Sequence, residues 1–495
     1  MNGLIDPVAI SAILEIVDGG RPCTPSVRGG APWFARRSSV WIERALLRVS
    51  RWRAALAAWL AYWRVPAYRD FVREHGVRPA MRFADFPVTS KATYVHRYGL
   101  ARICRGGVLP PRGVIDESSG SSGTANNWAR GPRERAATAR AIRRAARTTF
   151  GDRDFIVLNA FALGPWATGM AVSMALADAY LVKSIGPDVQ KVIASLQTLG
   201  TGRPYLIAGY PPFLRLLCER SDIDWDQYEI YAVCGGEGLS EPMRDLLNRR
   251  FVKTVSSFGA SDLEINIGAE TEYSIALRRE LMARPALAKA LIGATDGLPM
   301  VFQYNPLDYF LEADRDANLL VTVNRLAVVS PRIRYNLRDR VALRTSAHVA
   351  RVLAEQGVVL SAKRHPLPFL FHWGRQDTTV AFYGCKLSPE DLQHAALRTE
   401  TLGPHVAELA LHPWVDDAHE MRLDLWIELR DGSAIEATRE LTAELLHHLA
   451  EVNQDFRESI RMVPPERWPT LTLFAAGTSP LAGQDARLKK RYVVS

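Results

Sequence analysis

Residues 116–128 read DESSGSSGTANNW and crowd hydroxyl groups and glycines into one short stretch. Glycine lets backbone amides approach a ligand closely, and successive amides of such a loop form a concave anion site. The stretch follows a short apolar segment and precedes a predicted helix, which favours a phosphate site of the strand–loop–helix type. A flexible Gly/Ser linker is the alternative. No lysine follows Gly123, so this is not the GxxxxGK[ST] loop.

The composition is that of a soluble globular protein, with 47% apolar and 23% charged residues in a chain of 495. A chain of this length predicts roughly two to four domains. The net charge of +9 comes mostly from arginines. Those of 133–147 are interleaved along a predicted helix, which favours a solvated face over an anionic partner. No nucleic-acid partner is expected.

The cysteines and the apolar segments predict a cytoplasmic protein without a membrane partner. The five cysteines are widely spaced and form no CxxC pair, as in a reducing compartment without a zinc site. The longest apolar stretch, 167–182, is too short to span a bilayer and contains Asp178. Near the N-terminus, Asp6 stands where a signal peptide would carry a basic residue.

The order of predicted elements indicates an α/β fold with two domains. A helix is predicted at 44–63, and from 113 onward short buried strands alternate with helices, as in an α/β sheet. The region 300–345 is charged and strand-rich, which predicts an antiparallel or barrel-like subdomain. After 374 the pattern is that of a small α+β unit. We therefore predict a large domain at 1–374 and a small one at 375–495.

The serine stretch resembles the [ST]SG[ST][ST]G loop of the adenylate-forming superfamily, which includes acyl-CoA synthetases and adenylation domains. Thr124 and Ala125 replace its usual Lys-Pro. Further motifs of that superfamily are matched in order by Gly235-Gly236-Glu237, by FGASD at 258–262, by IRYNLRD at 333–339 and by GRQD at 374–377. VPAYRDFVREHG (65–76) and FADFPVTSKATY (83–94) resemble the opening of phenylacetate-CoA ligases.

This resemblance implies a large N-terminal domain, with α/β sheets and a barrel-like subdomain, and a small mobile α+β C-terminal domain. It also implies ATP-dependent adenylation of an aromatic or apolar carboxylic acid, release of pyrophosphate and transfer to the CoA thiol, with Mg²⁺. A carrier-protein thiol or an amine as acceptor, another oxyanion such as nitrite as substrate, and a non-catalytic nucleotide-binding relative are the alternatives. A homodimer is a further expectation.

The resemblance assigns roles residue by residue. Catalytic roles fall to Ser261 and to one of Lys490 and Lys489, with Lys490 preferred, and Asp377 is the hinge. The nucleotide is expected to contact Ser118, Ser119, Gly120, Ser121, Ser122, Gly123, Thr124, Gly235, Gly236, Glu237, Ser257, Phe258, Gly259, Ala260, Asp339 and Arg375. Magnesium is expected on Asp262 or Glu264, and the acid pocket at Phe161, Trp166 and Gly169.

Overall fold

The computed structural model describes residues 32–78, 82–118, 126–164, 167–293, 298–375, 380–382, 385–416, 421–453, 456–457, 460 and 465–482. Its helices are α1 (Pro32–Arg64), α2 (Pro66–Glu74), α3 (Pro132–Phe150), α4 (Ala167–Leu176), α5 (Val189–Leu199), α6 (Pro211–Cys218), α7 (Glu241–Leu247), α8 (Glu272–Ala283), α9 (Pro285–Ile292), α10 (Ser346–Glu355), α11 (Pro389–Arg398) and α12 (Arg439–Val452).

The strands are β1 (Val114–Ser118), β2 (Asn126–Arg130), β3 (Ile156–Asn159), β4 (Leu181–Ser184), β5 (Tyr205–Gly209), β6 (Ile230–Gly235), β7 (Lys253–Phe258), β8 (Gly268–Ala269), β9 (Met300–Tyr304), β10 (Tyr309–Ala313), β11 (Asn318–Val323), β12 (Tyr335–Arg344), β13 (Phe369–Arg375), β14 (Val380–Phe382), β15 (Cys385–Leu387), β16 (Val406–Val415), β17 (Met421–Leu429) and β18 (Thr470–Phe474).

One large sheet forms the centre of the molecule. Its strand order is β10-β11-β12-β13-β9-β8-β7-β6-β5-β3-β4. The strands from β4 to β7 in this order are parallel. The inner ones, β3 and β5, are buried along their whole length, as expected when helices cover both faces of a parallel sheet. The prediction of an α/β sheet is confirmed.

The region 300–345 forms antiparallel strands, as predicted, and they continue the large sheet. The short strand β8 joins β7 to β9, and β13, β12, β11 and β10 follow with antiparallel pairing. The predicted barrel-like subdomain is thus an antiparallel extension of the same sheet among the described residues.

The serine stretch connects the two strands of a hairpin and does not lead directly into a helix. β1 pairs with β2 in antiparallel register, Ser118 opposite Asn126, and α3 begins only after β2. The predicted strand–loop–helix arrangement is wrong at this point. The physical reason is that Trp128 and Arg130 are buried and hydrogen-bond to Asp262 and Ser261. These contacts stabilise a strand in a short polar segment that would otherwise be expected to form a loop.

A smaller unit follows the large sheet. β16, β17 and β18 form a separate sheet and share a core with α11 and α12 that includes Leu392, Leu411, Leu425 and Leu445. The last strand of the large sheet, β13, ends at Arg375, and β14 begins a separate hairpin at Val380. The chain therefore has a large α/β domain and a smaller C-terminal domain.

No helix within the described residues combines the length and the apolar character that crossing a membrane requires.

Candidate functional site

Asp262 lies where three sequence motifs meet. Its buried carboxylate follows β7, and the indole Nε1 of Trp128 donates to its Oδ1 at 3.2 Å. The hydroxyl of Tyr335 donates to Oδ2 at 3.3 Å, and the Lys91 ammonium lies 3.1 Å from the same oxygen. Trp128 belongs to the hairpin of the serine stretch, Tyr335 to the IRYNLRD motif and Lys91 to the N-terminal motif. These motifs, far apart in sequence, therefore converge on one carboxylate.

Backbone hydrogen bonds fix Lys91 relative to Tyr335. The amide of Asn336 donates to the Thr89 carbonyl at 2.8 Å, and the Thr89 hydroxyl donates to the Ile333 carbonyl at 2.8 Å. Lys91 then begins a helical turn, Lys91–Val95, which the Ser90 hydroxyl caps by accepting from the Thr93 amide at 3.1 Å. The Lys91 ammonium is therefore held beside Asp262 through hydrogen bonds to the start of β12, the strand that carries Tyr335.

Two buried arginines support the turn that carries Asp262. Arg130 donates to the Ser261 carbonyl at 2.8 Å and pairs with Asp116 at 2.6 Å. Arg332 donates to the Asp262 carbonyl at 3.0 Å, and its guanidinium lies 4.6 Å from the centre of the Trp128 ring. Burial, and secondly the charge of Arg130, lower the pKa of Arg332 to about 10. Arg332 therefore remains charged at neutral pH, and the two arginines hold the backbone of 261–262 in place.

Glycine is required at position 259 of the same turn. A Cβ at Gly259 would lie 2.5 Å from the backbone of Ile265, and the chain closes on itself there, since the Ala260 amide donates to the Glu264 carbonyl at 2.9 Å. The predicted residues Phe258, Gly259, Ala260, Ser261 and Asp262 thus form one compact turn after β7.

The Gly235-Gly236-Glu237 turn lies beside the end of β7. Gly235 is the register partner of Ser257. Gly236 has φ +82°, and a Cβ there would lie 2.8 Å from the Tyr210 ring. Glycine is therefore required at this position, and the turn presents bare backbone without a side chain. Tyr210 packs edge-on against Phe161, with ring centroids 5.0 Å apart. Burial, and then the charge of Glu237, raise the pKa of Tyr210 to about 12, so its hydroxyl stays protonated.

His372 joins this turn region to Asp339. Its ring centroid lies 4.4 Å from that of Phe258, and its Nε2 lies 3.2 Å from Asp339 Oδ2. Asp339 is the register partner of Arg375 across β12 and β13. The residue before it, Arg338, has φ 61°, a strained conformation of the kind that collects at functional sites. The predicted adenine-side and ribose-side residues are therefore neighbours.

The small domain contacts the Gly235-Gly236-Glu237 turn region through Glu390. A Cβ at Gly238 would lie 2.8 Å from the Glu390 Cγ, so α11 touches the turn directly after Glu237. Burial is the main cause that raises the pKa of Glu390, and the charges of Asp391 and Glu237 raise it further. Two carboxyl groups from different domains consequently share one partly buried space.

Gly169 has a packing role. A Cβ at this position would lie 2.1 Å from the Ala162 carbonyl oxygen, and the Gly169 carbonyl accepts from Asn159 Nδ2 at 2.7 Å. Phe161 is buried next to Gly235, and its Cζ would lie 3.5 Å from a Cβ placed on Gly235. Of the predicted acid-pocket residues, the structure therefore brings Phe161 to the nucleotide-side turn.

The two predicted magnesium ligands, Asp262 and Glu264, both already contact protein side chains. Both oxygens of the Asp262 carboxylate accept hydrogen bonds, from Trp128 and Tyr335, whereas Glu264 contacts Arg325 and Tyr309 through Oε2 and its buried Oε1 has no hydrogen-bond partner. Magnesium is usually held by one or two carboxylates together with phosphate oxygens and water. Asp262 offers one carboxylate at the junction, and the described residues contain no cluster of three metal-ligating side chains.

Several predicted residues are placed only in part. Ser118 and Arg375 are positioned by their backbones, at the ends of β1 and β13. Ser119, Gly120, Ser121, Ser122, Gly123, Thr124, Trp166, Asp377, Lys489 and Lys490 lie outside the described residues.

Sequence reasoning missed five side chains of the site: Lys91, Trp128, Tyr335, His372 and Glu390. Lys91, Trp128 and Tyr335 lie within the sequence motifs described above, but the sequence did not indicate that they contact Asp262. His372 had one weak signal, its place three residues before Arg375. Glu390 is a common surface residue type, and nothing in the sequence indicated that it reaches the other domain.

A cleft of about 260 Å³ opens next to the hairpin. It lies between α3 and α4, and its lining includes Asp116, Arg130, Met170 and Glu264. The cleft therefore borders the same buried arginine that supports Ser261.

The fold is similar to that of solved CoA ligase structures. Solved structures of 2-hydroxyisobutyryl-CoA ligase are similar over 92% of this chain and 89% of theirs, with 15% identity and a TM-score of 0.66 in the postadenylation state with 2-HIB-AMP. The same ligase with 2-HIB-AMP and CoA in the thioesterification state gives a TM-score of 0.51. An anthranilate CoA ligase with anthranoyl-AMP is similar over 76% of this chain and 65% of that one, with 13% identity and a TM-score of 0.50.

No family profile and no curated protein sequence matches the chain. The predicted fold is confirmed by the similarity to these ligase structures.

Proposed function

We propose that this chain is an ATP-dependent acid–thiol ligase. It joins a carboxylic acid to AMP, releases pyrophosphate and passes the acyl group to the thiol of CoA. The observation that carries the proposal is the convergence on Asp262 of Lys91, Trp128 and Tyr335, each from a different motif. Structural neighbours with this fold include CoA ligases solved with acyl-AMP compounds, which supports the same reading.

Two anions must meet in the first step, so its main requirements are alignment and charge neutralisation. The amides and hydroxyls of 118–124 would hold the β- and γ-phosphates, and Ser261 would meet the α-phosphate. Lys91 supplies a fixed positive charge next to the hairpin, which offsets the lysine that Thr124-Ala125 lacks. Asp262 or Glu264 would hold Mg²⁺, which supplies further neutralisation of phosphate charge when bound.

The nucleoside would lie across the ends of β6, β7 and β12. Gly235, Gly236 and Glu237 form the turn for the base, and Phe258, fixed by His372, borders it. Asp339 would accept from the ribose hydroxyls, because a charged acceptor makes the stronger bonds. Arg375 stands opposite Asp339 in the register and would approach the same sugar.

The second step would use the small domain, 375–495. Rotation at Asp377 would exchange the face that carries Lys490 or Lys489 for one that guides the thiol. The acid would be aromatic or apolar, with Phe161 as one wall of its pocket, together with Trp166 and Gly169. The phenylacetate-CoA ligase-like branch, a cytoplasmic location and the domain boundary at 374 belong to the same proposal.

Pyrophosphate release tests the proposal. The full chain is incubated with ATP, Mg²⁺ and a panel of aryl and alkyl acids, first without and then with CoA. We expect release that depends on one class of acid, and a thioester when CoA is present.

An adenylate that forms but is not passed to CoA would indicate a carrier protein or an amine as acceptor, and release with nitrite would indicate an inorganic oxyanion as substrate. ATP binding without release with any acid would contradict the proposal in favour of a non-catalytic nucleotide-binding protein.

A further inference from the structure

Four tryptophans of α1 point away from the protein. Trp41, Trp52, Trp59 and Trp63 are 53%, 64%, 46% and 54% exposed. With 3.6 residues per turn, these positions fall within about 40° of one another around the helix axis. With a rise of ~1.5 Å per residue, the row extends over about 33 Å. Tryptophan is usually largely buried, so a straight exposed row of four is a feature that needs a partner.

The opposite face of α1 is fixed to the large domain. Ala54, Ala58 and Ala61 are buried there. Glu43 accepts from the backbone amide of Ser346 at 2.6 Å, at the start of α10, and Ser50 accepts from Asn324 Nδ2 at 2.9 Å. Because these buried polar contacts would be lost on rotation, the helix cannot turn its tryptophans inward.

The exposed charges of the same helix are all positive. Arg44, Arg48, Arg51 and Arg64 are exposed, and Arg48 lies within the tryptophan row by its helical position. Glu43 is the one acidic residue of 40–64, and it is buried. A second copy of the chain packed on this face would bring arginines against arginines, with no carboxylate from the helix between them. The charge therefore selects an anionic partner.

We propose that this face of α1, defined by Trp41, Trp52, Trp59 and Trp63 with Arg44, Arg48 and Arg51, binds the surface of an anionic lipid membrane. Tryptophan rings prefer the level of the lipid headgroups, and an amphipathic helix with a basic polar face lies in that interface. Each arginine near an anionic leaflet adds electrostatic attraction. A straight, rigid row matches a planar surface better than it matches a nucleic-acid strand, whose bases would have to be splayed to stack on each ring.

This inference does not depend on the proposed ligase function. The sequence predicts no membrane partner because a spanning segment is absent, but a helix that lies on a membrane needs no such segment. The sequence also predicts 44–63 only as a helix, and the exposure of its tryptophans is a finding of the structure.

Vesicle flotation of the full chain tests the proposal. The vesicles are three parts phosphatidylcholine to one part phosphatidylglycerol, with pure phosphatidylcholine as the neutral comparison. We expect the chain to float with the anionic vesicles, and Trp52→Ala/Trp59→Ala to reduce the bound fraction at least about tenfold, since two interfacial rings are lost. Arg48→Glu/Arg51→Glu should weaken binding similarly, and added salt should weaken it further.

The matched control is Trp414→Ala/Trp468→Ala, which removes two tryptophans of the small domain that are 41% and 37% exposed. This control should float like the unchanged chain. Circular dichroism melting establishes that each variant is folded. The proposal is overturned if the folded full chain stays unbound to anionic vesicles, or if the two α1 variants float like the control. It is also overturned if Trp52→Ala/Trp59→Ala converts a dimer to a monomer, or if single-stranded RNA binds this face and vesicles do not.

Discussion

Replacing Glu241 should destabilise the large domain by several kcal/mol. Glu241 begins α7 directly after the Gly235-Gly236-Glu237 turn, and it is buried. Its carboxylate lies 3.1 Å from Arg244 and 2.8 Å from Arg278. Arg278 also donates to the Leu239 carbonyl at 2.6 Å. The carboxylate thus pairs with two buried guanidinium groups, of which Arg244 also contacts the Glu270 carboxylate at 2.6 Å, and it joins the candidate site to α8.

The structure gives the size of this effect. Burial by itself would raise the pKa of Glu241, but the charges of Arg244 and Arg278 outweigh burial and lower the pKa from an ordinary 4.5 to about 2. One pKa unit corresponds to about 1.4 kcal/mol, so ionisation of Glu241 contributes about 3 kcal/mol to the free energy of unfolding at neutral pH. Because the folded pKa is depressed, this contribution is present above pH 4.5 and is lost as the pH falls toward 2. Glu241→Gln removes the buried carboxylate partner of Arg278, while Arg244 keeps Glu270, so we expect a cost of about 3 kcal/mol.

Urea unfolding followed by fluorescence measures the change at pH 7, with Asp245→Asn as the control. Asp245 pairs with Arg279, which also contacts Glu241, but that pair is exposed and such pairs contribute about 0–1 kcal/mol. We expect a large loss for Glu241→Gln and almost none for the control. The gap between Glu241→Gln and the unchanged chain should narrow as the pH is lowered below 4.5. If Glu241→Gln unfolds within about 1 kcal/mol of the unchanged chain at pH 7, the argument from buried charge is refuted.

Three further predictions concern the site. Lys91→Met should lower acid-dependent pyrophosphate release at least about tenfold, a loss of ~1.4 kcal/mol of transition-state stabilisation. The reason is that, among the described residues, Lys91 is the cation whose side chain lies 3.1 Å from the Asp262 carboxylate. A rate equal to that of the unchanged chain would remove Lys91 from the mechanism. Asp339→Asn should raise the KM for ATP about 10- to 100-fold, since a hydrogen bond to a charged group contributes about 1.5–3 kcal/mol, and an unchanged KM would speak against ribose binding there. Burial raises the pKa of Glu390 above its ordinary 4.5, so the domain contact should weaken as the pH rises above 4.5. Glu390→Gln should abolish this dependence in melting curves taken over rising pH, and identical pH profiles would contradict it.

The fold was predictable where local pattern and long-range packing agree. The buried runs that became β3, β5 and β6 are apolar and are bounded by helices, so sequence alone placed them. The hairpin strand β2 was not predictable, because NNWAR becomes a strand only through partners of Trp128 and Arg130 that lie more than 130 residues away. The same holds for the pairing of Lys91 with Asp262, which only the folded chain brings together.

The outward face of α1 shows a different limit. Alanine, leucine and tryptophan surround this helix on nearly all sides, so apolar periodicity does not indicate which face is buried. Its orientation is decided by Glu43 and Ser50, whose partners in α10 and near β11 are distant in sequence. Buried polar contacts, which carry no periodic signal, therefore determine what the helix presents to its surroundings.

Acid-dependent exchange of labelled pyrophosphate into ATP, measured in the full chain and in Asp262→Ala, shows whether acyl-AMP forms at this site. Adenylation is reversible, so an enzyme that forms acyl-AMP should incorporate the label only when its acid is present. We expect exchange with one class of carboxylic acid, and a loss of about 100-fold or more in Asp262→Ala, equivalent to ~2.7 kcal/mol of transition-state stabilisation. Exchange that needs no acid, or that persists undiminished without the Asp262 carboxylate, would contradict this expectation.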